Sequence, residues 1–138
     1  MDERGFASIT AILILLMLAY LIRGTIFTAQ NYADMTRNFE LENRLQLAAE
    51  SAFAVECDRY DGQSVGDDFK YTEPRDPLDG VDSVVVTVEK KDDTIKILAV
   101  AKKNNYFGNG INAYRSVCGF LRKEDDVYRF KGFLHSTI

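Results

Sequence analysis

The 138-residue sequence predicts an α+β fold: a long N-terminal helix, membrane-spanning in its first half, packed on a small four-stranded antiparallel sheet. Three observations carry this expectation. No Pro occurs before Pro74, and the only Gly between Phe6 and Asp61 is Gly24, so a helix can run to about Asp58. Leu41, Leu45, Ala48, Ala52 and Val55 step by four and three, with Ala49 and Phe53 widening the stripe, which is the period of one buried helix face. Four strand-like runs, rich in β-branched residues, then follow in the C-terminal half, joined in pairs by charged turns.

The first element is the most apolar. Residues 6–22 (FASITAILILLMLAYLI) contain no charge, Gly or Pro, and as a helix they span about 26 Å, near the lower limit for a bilayer core. A cleaved secretory signal fits less well than a retained anchor. The chain starts Met-Asp-Glu-Arg rather than with basic residues, and a cut after Ala29 would leave bulky Phe27 where a small residue is wanted. Gly24-Thr25 is the one expected soft point. Beyond it, residues 40–56 are rich in strong helix formers, and Glu42, Asn43, Gln46 and Glu50 form a solvated face opposite the apolar stripe.

Residues 61–82 carry three Gly, both Pro and no helical period, and so read as a loop. Asp61, Asp67, Asp68, Asp76, Asp79 and Asp82 invite a calcium reading, since hard cations want several oxygen ligands, but the spacing is not that of an EF-hand. A solvated acidic loop is the plainer expectation. The strand-like runs are 83–89 and 94–102, flanking a turn at 90–93, then 114–121 and 127–133, flanking a charged turn at 122–126. Between the pairs, Asn109-Gly110 is a turn signal. A four-stranded meander with one face under the helix follows, with Val84, Val86, Val88, Ile95, Ile97, Ala99 and Val117 on the buried face.

Composition narrows function. The formal charge of −4 sits in residues 1–58, with eight acids and four bases, while 59–138 hold thirteen of each. No basic stripe marks a nucleic-acid partner. Tyr106-Phe107 beside Lys102-Lys103 could stack and attract single-stranded DNA, although such a patch more often belongs to a protein interface or a core edge. His135 is the sole histidine and has no carboxylate or Cys cluster nearby; with no Walker loop, dinucleotide fingerprint or Cys-x-x-Cys, no enzyme and no cofactor or metal site is expected. Cys57 and Cys118 are a candidate disulfide in an oxidising compartment, closing a loop worth roughly 4 kcal/mol in the chain-entropy model, and free thiols in a cytoplasmic head. Sequence leaves both open.

One further pattern lies at the N-terminus. Arg4-Gly5-Phe6 directly before the apolar run resembles the leader of type IV pilins and type II secretion pseudopilins. Residues 38–54, with Arg44 and the run Ala48-Ala49-Glu50-Ser51-Ala52, are similar to minor pilins of the PilX and GspK kind. The resemblance covers about the first 55 residues. It implies a prepilin peptidase cut between Gly5 and Phe6, N-methylation of Phe6, and a head held outside the inner membrane. That topology opposes the arginine count, since Arg4 against Arg23, Arg37 and Arg44 taken alone would place the head in the cytoplasm. Major pilins carry Glu at the fifth mature position, paired with the N-terminal amine of a neighbouring subunit. Here that position is Thr10, which fits the tip-type minor pilins.

The expected organisation is therefore a leader (1–5), an N-terminal helix (6–58, with 6–22 transmembrane) and an extracytoplasmic head (59–138). The expected function is that of a minor pilin or pseudopilin, a non-enzymatic tip or initiation subunit of a type IV pilus or type II secretion apparatus. Its implied partners are other pilin-like subunits, the inner-membrane assembly platform, the prepilin peptidase and membrane lipid. The competing expectation is a single-pass anchored binding or sensor domain that enters no filament, with Thr10 an ordinary anchor residue.

Overall fold

The computed structural model describes residues 3–106 and 110–134. Phe107 of the expected aromatic–basic patch, Asn109 of the expected turn, His135 and the first two leader residues lie outside them. Helix α1 runs Glu3–Tyr60, through Gly24, and is followed by strands β1 (Phe69–Arg75), β2 (Ser83–Lys91), β3 (Thr94–Lys103), β4 (Ala113–Glu124) and β5 (Val127–Phe133). The chain forms two compact units, Met1–Phe39 and Glu40–Ile138, whose boundary falls inside α1 rather than after it.

In the first unit every described side chain from Phe6 onward is exposed. Its threonines turn their hydroxyls inward along the helix: Thr10, Thr28 and Thr36 donate to the carbonyls of Phe6, Gly24 and Tyr32, and Thr25 to that of Ile22, at 2.8–2.9 Å. Each polar hydrogen is thus satisfied without water, as a helix in hydrocarbon requires.

The second unit is the α+β head: the last third of α1 on a sheet of five antiparallel strands in sequential order. The fifth strand corrects the expected loop at 61–82. β1 (FKYTEPR) pairs along its whole length with β2, from Phe69 opposite Lys90 to Arg75 opposite Val84. Phe69, Tyr71 and Arg75 turn inward and Lys70, Thr72 and Pro74 outward, the alternation of a half-covered strand, and Pro74 is tolerated because β1 is an edge. The surrounding Gly, Pro and Asp masked that period in the sequence.

The turns are tighter than expected. Asp92-Asp93 and Asp125-Asp126 alone join their strands, and Asp125 and Asp126 both adopt positive φ (49° and 69°), as a two-residue hairpin turn of the favoured hand demands. Helix α1 ends where Asp61 N–H bonds the Cys57 carbonyl and Gly62 takes φ 76°, a left-handed residue that stops the helix. The chain then runs beside β5, with Gly62 N–H donating to the Tyr128 carbonyl and Tyr128 N–H to that of Gln63.

All seven expected sheet residues, Val84, Val86, Val88, Ile95, Ile97, Ala99 and Val117, are buried. On the helix Leu45, Ala48, Ala49, Ala52 and Phe53 are buried as well, each large one contributing about 1.5–3 kcal/mol of burial. Val55 departs from expectation: it is 58% exposed, and the fully buried position on that stripe is Glu56. From Ala52 the helix steps four rather than three, which carries the covered face onto a carboxylate. Gly119 in β4 makes room for the helix, since a Cβ there would lie 2.6 Å from Phe53 Cζ.

Candidate functional site

The first candidate site is the apolar segment itself. Among the described residues one helix is long and apolar enough to cross a membrane, and its apolar stretch lies at the N-terminal end. It is a candidate membrane anchor. Gly5 lies within the helix backbone and Phe6 is exposed. Phe6 and Thr10 are brought together, because the Thr10 hydroxyl donates to the Phe6 carbonyl at 2.9 Å. Thr10 therefore offers neither a charge nor a free donor to a neighbour.

In the head, sequence reasoning missed the buried charge at Glu56. Its Oε2 accepts from the Tyr71 hydroxyl at 2.8 Å, and Tyr71 in turn shares a 2.8 Å bond with Tyr60. Arg75 from β1 forms an ion pair with Oε1, and Arg59 Nη1 stands 3.8 Å from Oε2. Burial, reinforced by the Tyr60 bond, pushes the Tyr71 phenol well above its ordinary value and keeps it a donor. This network joins the end of α1 to the edge strand. A signal existed, since Glu56 follows Ala52 by four residues on the apolar stripe.

The acidic residues of 61–82 act as local ties. Asp68 accepts from Lys90 Nζ at 3.0 Å and from Asp92 N–H at 3.1 Å, and Lys90, itself buried, also bonds the Gly66 carbonyl. Asp82 accepts from Lys103 Nζ and Asn104 N–H, and Asp61 from Phe130 N–H. The lysines hold the Asp68 and Asp82 carboxyls below their ordinary range. Among the described residues no set of three or more His, Cys, Asp or Glu side chains gathers to hold a metal ion. Of the expected aromatic–basic patch, Tyr106 is half-buried and Lys103 is engaged by Asp82.

Cys57 and Cys118 are free thiols in this structure, so the candidate disulfide is absent from it. Both residues line one cavity of the head. Gly119 faces Phe53 of the helix, and Cys118, one residue earlier and opposite Leu98, turns to the other face of the sheet. Cys57 packs instead against the helix-side core. Burial raises both thiols above their ordinary value.

A cavity of about 800 Å³ lies between the flank of α1 and the β4–β5 edge. A β-bulge builds its floor. The β4–β5 register passes from Phe120 opposite Gly132 to Leu121 opposite Phe130, leaving Lys131 as the extra residue. The bulge puts Phe130 and Phe133 on the same face, where plain alternation would separate them. Both rings meet Phe53, at 6.0 and 5.4 Å between centroids, and meet each other at 5.2 Å. Phe133 nevertheless remains 61% exposed.

Scans against protein-family models, curated proteins and solved structures find no match to this chain.

Proposed function

We propose that this chain is a minor pilin or pseudopilin, a non-enzymatic subunit at the tip or initiation point of a type IV pilus or type II secretion filament. The observation that carries the reading is Arg4-Gly5-Phe6 placed directly before an uncharged, uncovered helix that also supplies the head with its packing face. Under this reading a prepilin peptidase cuts after Gly5, and the head faces away from the cytoplasm. The helix anchors the subunit in the membrane before joining those of other pilin-like subunits. Thr10 supports the tip assignment. With no carboxylate and its hydroxyl proton given to the Phe6 carbonyl, it cannot form the charge pair with the amine of a subunit already in place. The amine of Phe6 remains available to the next subunit, and such asymmetry suits a first subunit.

The test is the mature N-terminus. Intact mass and N-terminal sequencing of protein from native membranes should show a chain starting at Phe6 and carrying one added methyl. Retention of residues 1–5 in cells with active prepilin peptidase would overturn the reading. A second reading, an anchored binding domain outside any filament, is favoured by the apolar cavity of the head, and the same measurement separates the two.

A further inference from the structure

The flank of α1 that faces β1 carries a second, smaller cavity. It holds about 190 Å³ and lies between Ser51, Ala52 and Val55 of the helix and Leu78 and Val84 opposite. Short helix side chains give it depth, while Val55 and Leu78 on its lining stay 58% and 43% exposed. Its volume falls below the roughly 300–1,000 Å³ of a small-molecule site and suits one apolar side chain. The charge around it is one-sided. Arg75 is engaged by Glu56 and Glu73, and Arg44 by Glu40 and the Asp79 carbonyl. Asp76, which lines the cavity, and Asp79, next to Leu78, have no ion-pair partner among the described residues.

This flank is out of reach of the head's undescribed residues. Leu134, the last described one, bonds Cys118 in line with β5, four strand spacings or about 19 Å from β1. Four further residues span at most about 14 Å. Tyr106 and Ile111 bracket residues 107–109 and share a backbone bond. Tyr106 stands within reach of the charges of Glu42 and Arg115, a pair that joins the opposite flank of α1 to β4.

We propose that this notch receives a single Leu or Phe side chain of a partner protein, flanked in the partner's sequence by Lys or Arg. The anchor covers Val55 and Leu78, and its basic neighbours meet Asp76 and Asp79. Burial of the anchor supplies affinity, as at the centre of an interface, and the carboxylates select for positive charge and speed association. A segment with acidic flanks is repelled, because the nearby cations are already engaged. The proposal stands on the head alone and holds under either reading of the whole chain.

Ser51, Val55, Asp76, Leu78 and Asp79 are all exposed, so the site can be altered without touching the core. The experiment titrates the full chain, in nanodiscs of zwitterionic lipid, into the fluorescein-labelled peptide Gly-Lys-Arg-Leu-Arg-Lys-Gly-amide. Two control peptides carry Ser in place of Leu, or Glu in place of every base. Fluorescence anisotropy should show saturable binding that weakens with salt, and both controls should bind at least about tenfold more weakly. Ser51→Phe fills the notch and should weaken binding about tenfold, as should Asp76→Asn combined with Asp79→Asn, with unchanged circular dichroism spectra and unfolding midpoints. Glu50→Gln, on the other flank of α1, should leave the Kd unchanged and controls for general attraction to acidic surface. Absence of saturable binding, equal binding of the Ser peptide, an unchanged Kd in Ser51→Phe, or an equal loss in Glu50→Gln would each overturn the proposal.

Discussion

Residues 6–39 and residues 40–60 belong to the same helix, yet they solve opposite problems. The first stretch is the more apolar and buries nothing within the chain, while the second is studded with charge and buries Leu45, Ala49, Phe53 and Glu56. In the first, the polar hydrogens of four threonines are satisfied by the helix's own carbonyls. In the second, a whole carboxylate is buried, its Oε2 accepting from the Tyr71 hydroxyl and its Oε1 ion-paired with Arg75, groups from elsewhere in the fold. The contrast is between a helix whose environment is external, with lipid as the candidate, and one whose environment is a sheet the same chain provides. Propensity is shared by both stretches; the surroundings decide which side chains each can carry.

The largest expected effect lies in the second stretch. Glu56→Ala should destabilise the head by about 3–5 kcal/mol, because Arg75 is left without its partner at the core edge. Glu56→Leu combined with Arg75→Met should recover most of that loss. Urea unfolding of the three proteins checks this, and a double variant no more stable than Glu56→Ala would show that the network does more than balance its own charges. In the first stretch, Ile14→Arg should cost about 3 kcal/mol of insertion free energy and release the chain to carbonate extraction, with the head's unfolding midpoint unchanged. A shift in that midpoint would break the separation between the two stretches.

Gly119→Ala comes next. The new methyl would press on the Phe53 ring, and on the Gly132 carbonyl at 3.1 Å, so a loss of about 1–3 kcal/mol in chemical denaturation is expected. Phe53→Leu in the same protein should relieve part of it. The pH dependence of head stability has two edges. Tyr71 has a raised folded-state value, so its contribution is complete below the ordinary phenol value near 10 and is lost as pH rises beyond it. Asp68 and Asp82 have lowered values, so their contributions are present above the ordinary carboxyl range near 4 and are lost as pH falls through it. Thermal melts across pH should flatten at the alkaline edge in Tyr71→Phe and at the acid edge in Asp68→Asn. The smallest effect belongs to Val55→Ser, within about 0.5 kcal/mol by the same unfolding measurement, because Val55 lies off the packed face.

Much of this architecture was legible without coordinates. The uncharged run 6–22, the unbroken helix to about Asp58 and the alternation of Val84, Val86 and Val88 against Ile95, Ile97 and Ala99 are local periodicities, and local periodicity survives in a sequence. β1 escaped because its alternation is short and set among Gly, Pro and Asp, and its strand character is completed by pairing with β2. Glu56 escaped because burial of a carboxylate depends on groups 15 and 19 residues away, Tyr71 and Arg75, arriving at the same place.

What the sequence determined by itself is where the chain is helical, where it alternates, and which segment is apolar enough for a bilayer, because these depend on neighbours a few residues apart. Tertiary structure alone decided the rest. The bulge at Lys131 set Phe130 and Phe133 on one face and so made the floor of the larger cavity. The β3–β4 register set Cys118 opposite Leu98. The β1–β2 register brought Tyr71 and Arg75 to Glu56. Each of these is a matter of registry between strands, and one residue of slip reverses a face or moves an edge without changing any local pattern in the sequence.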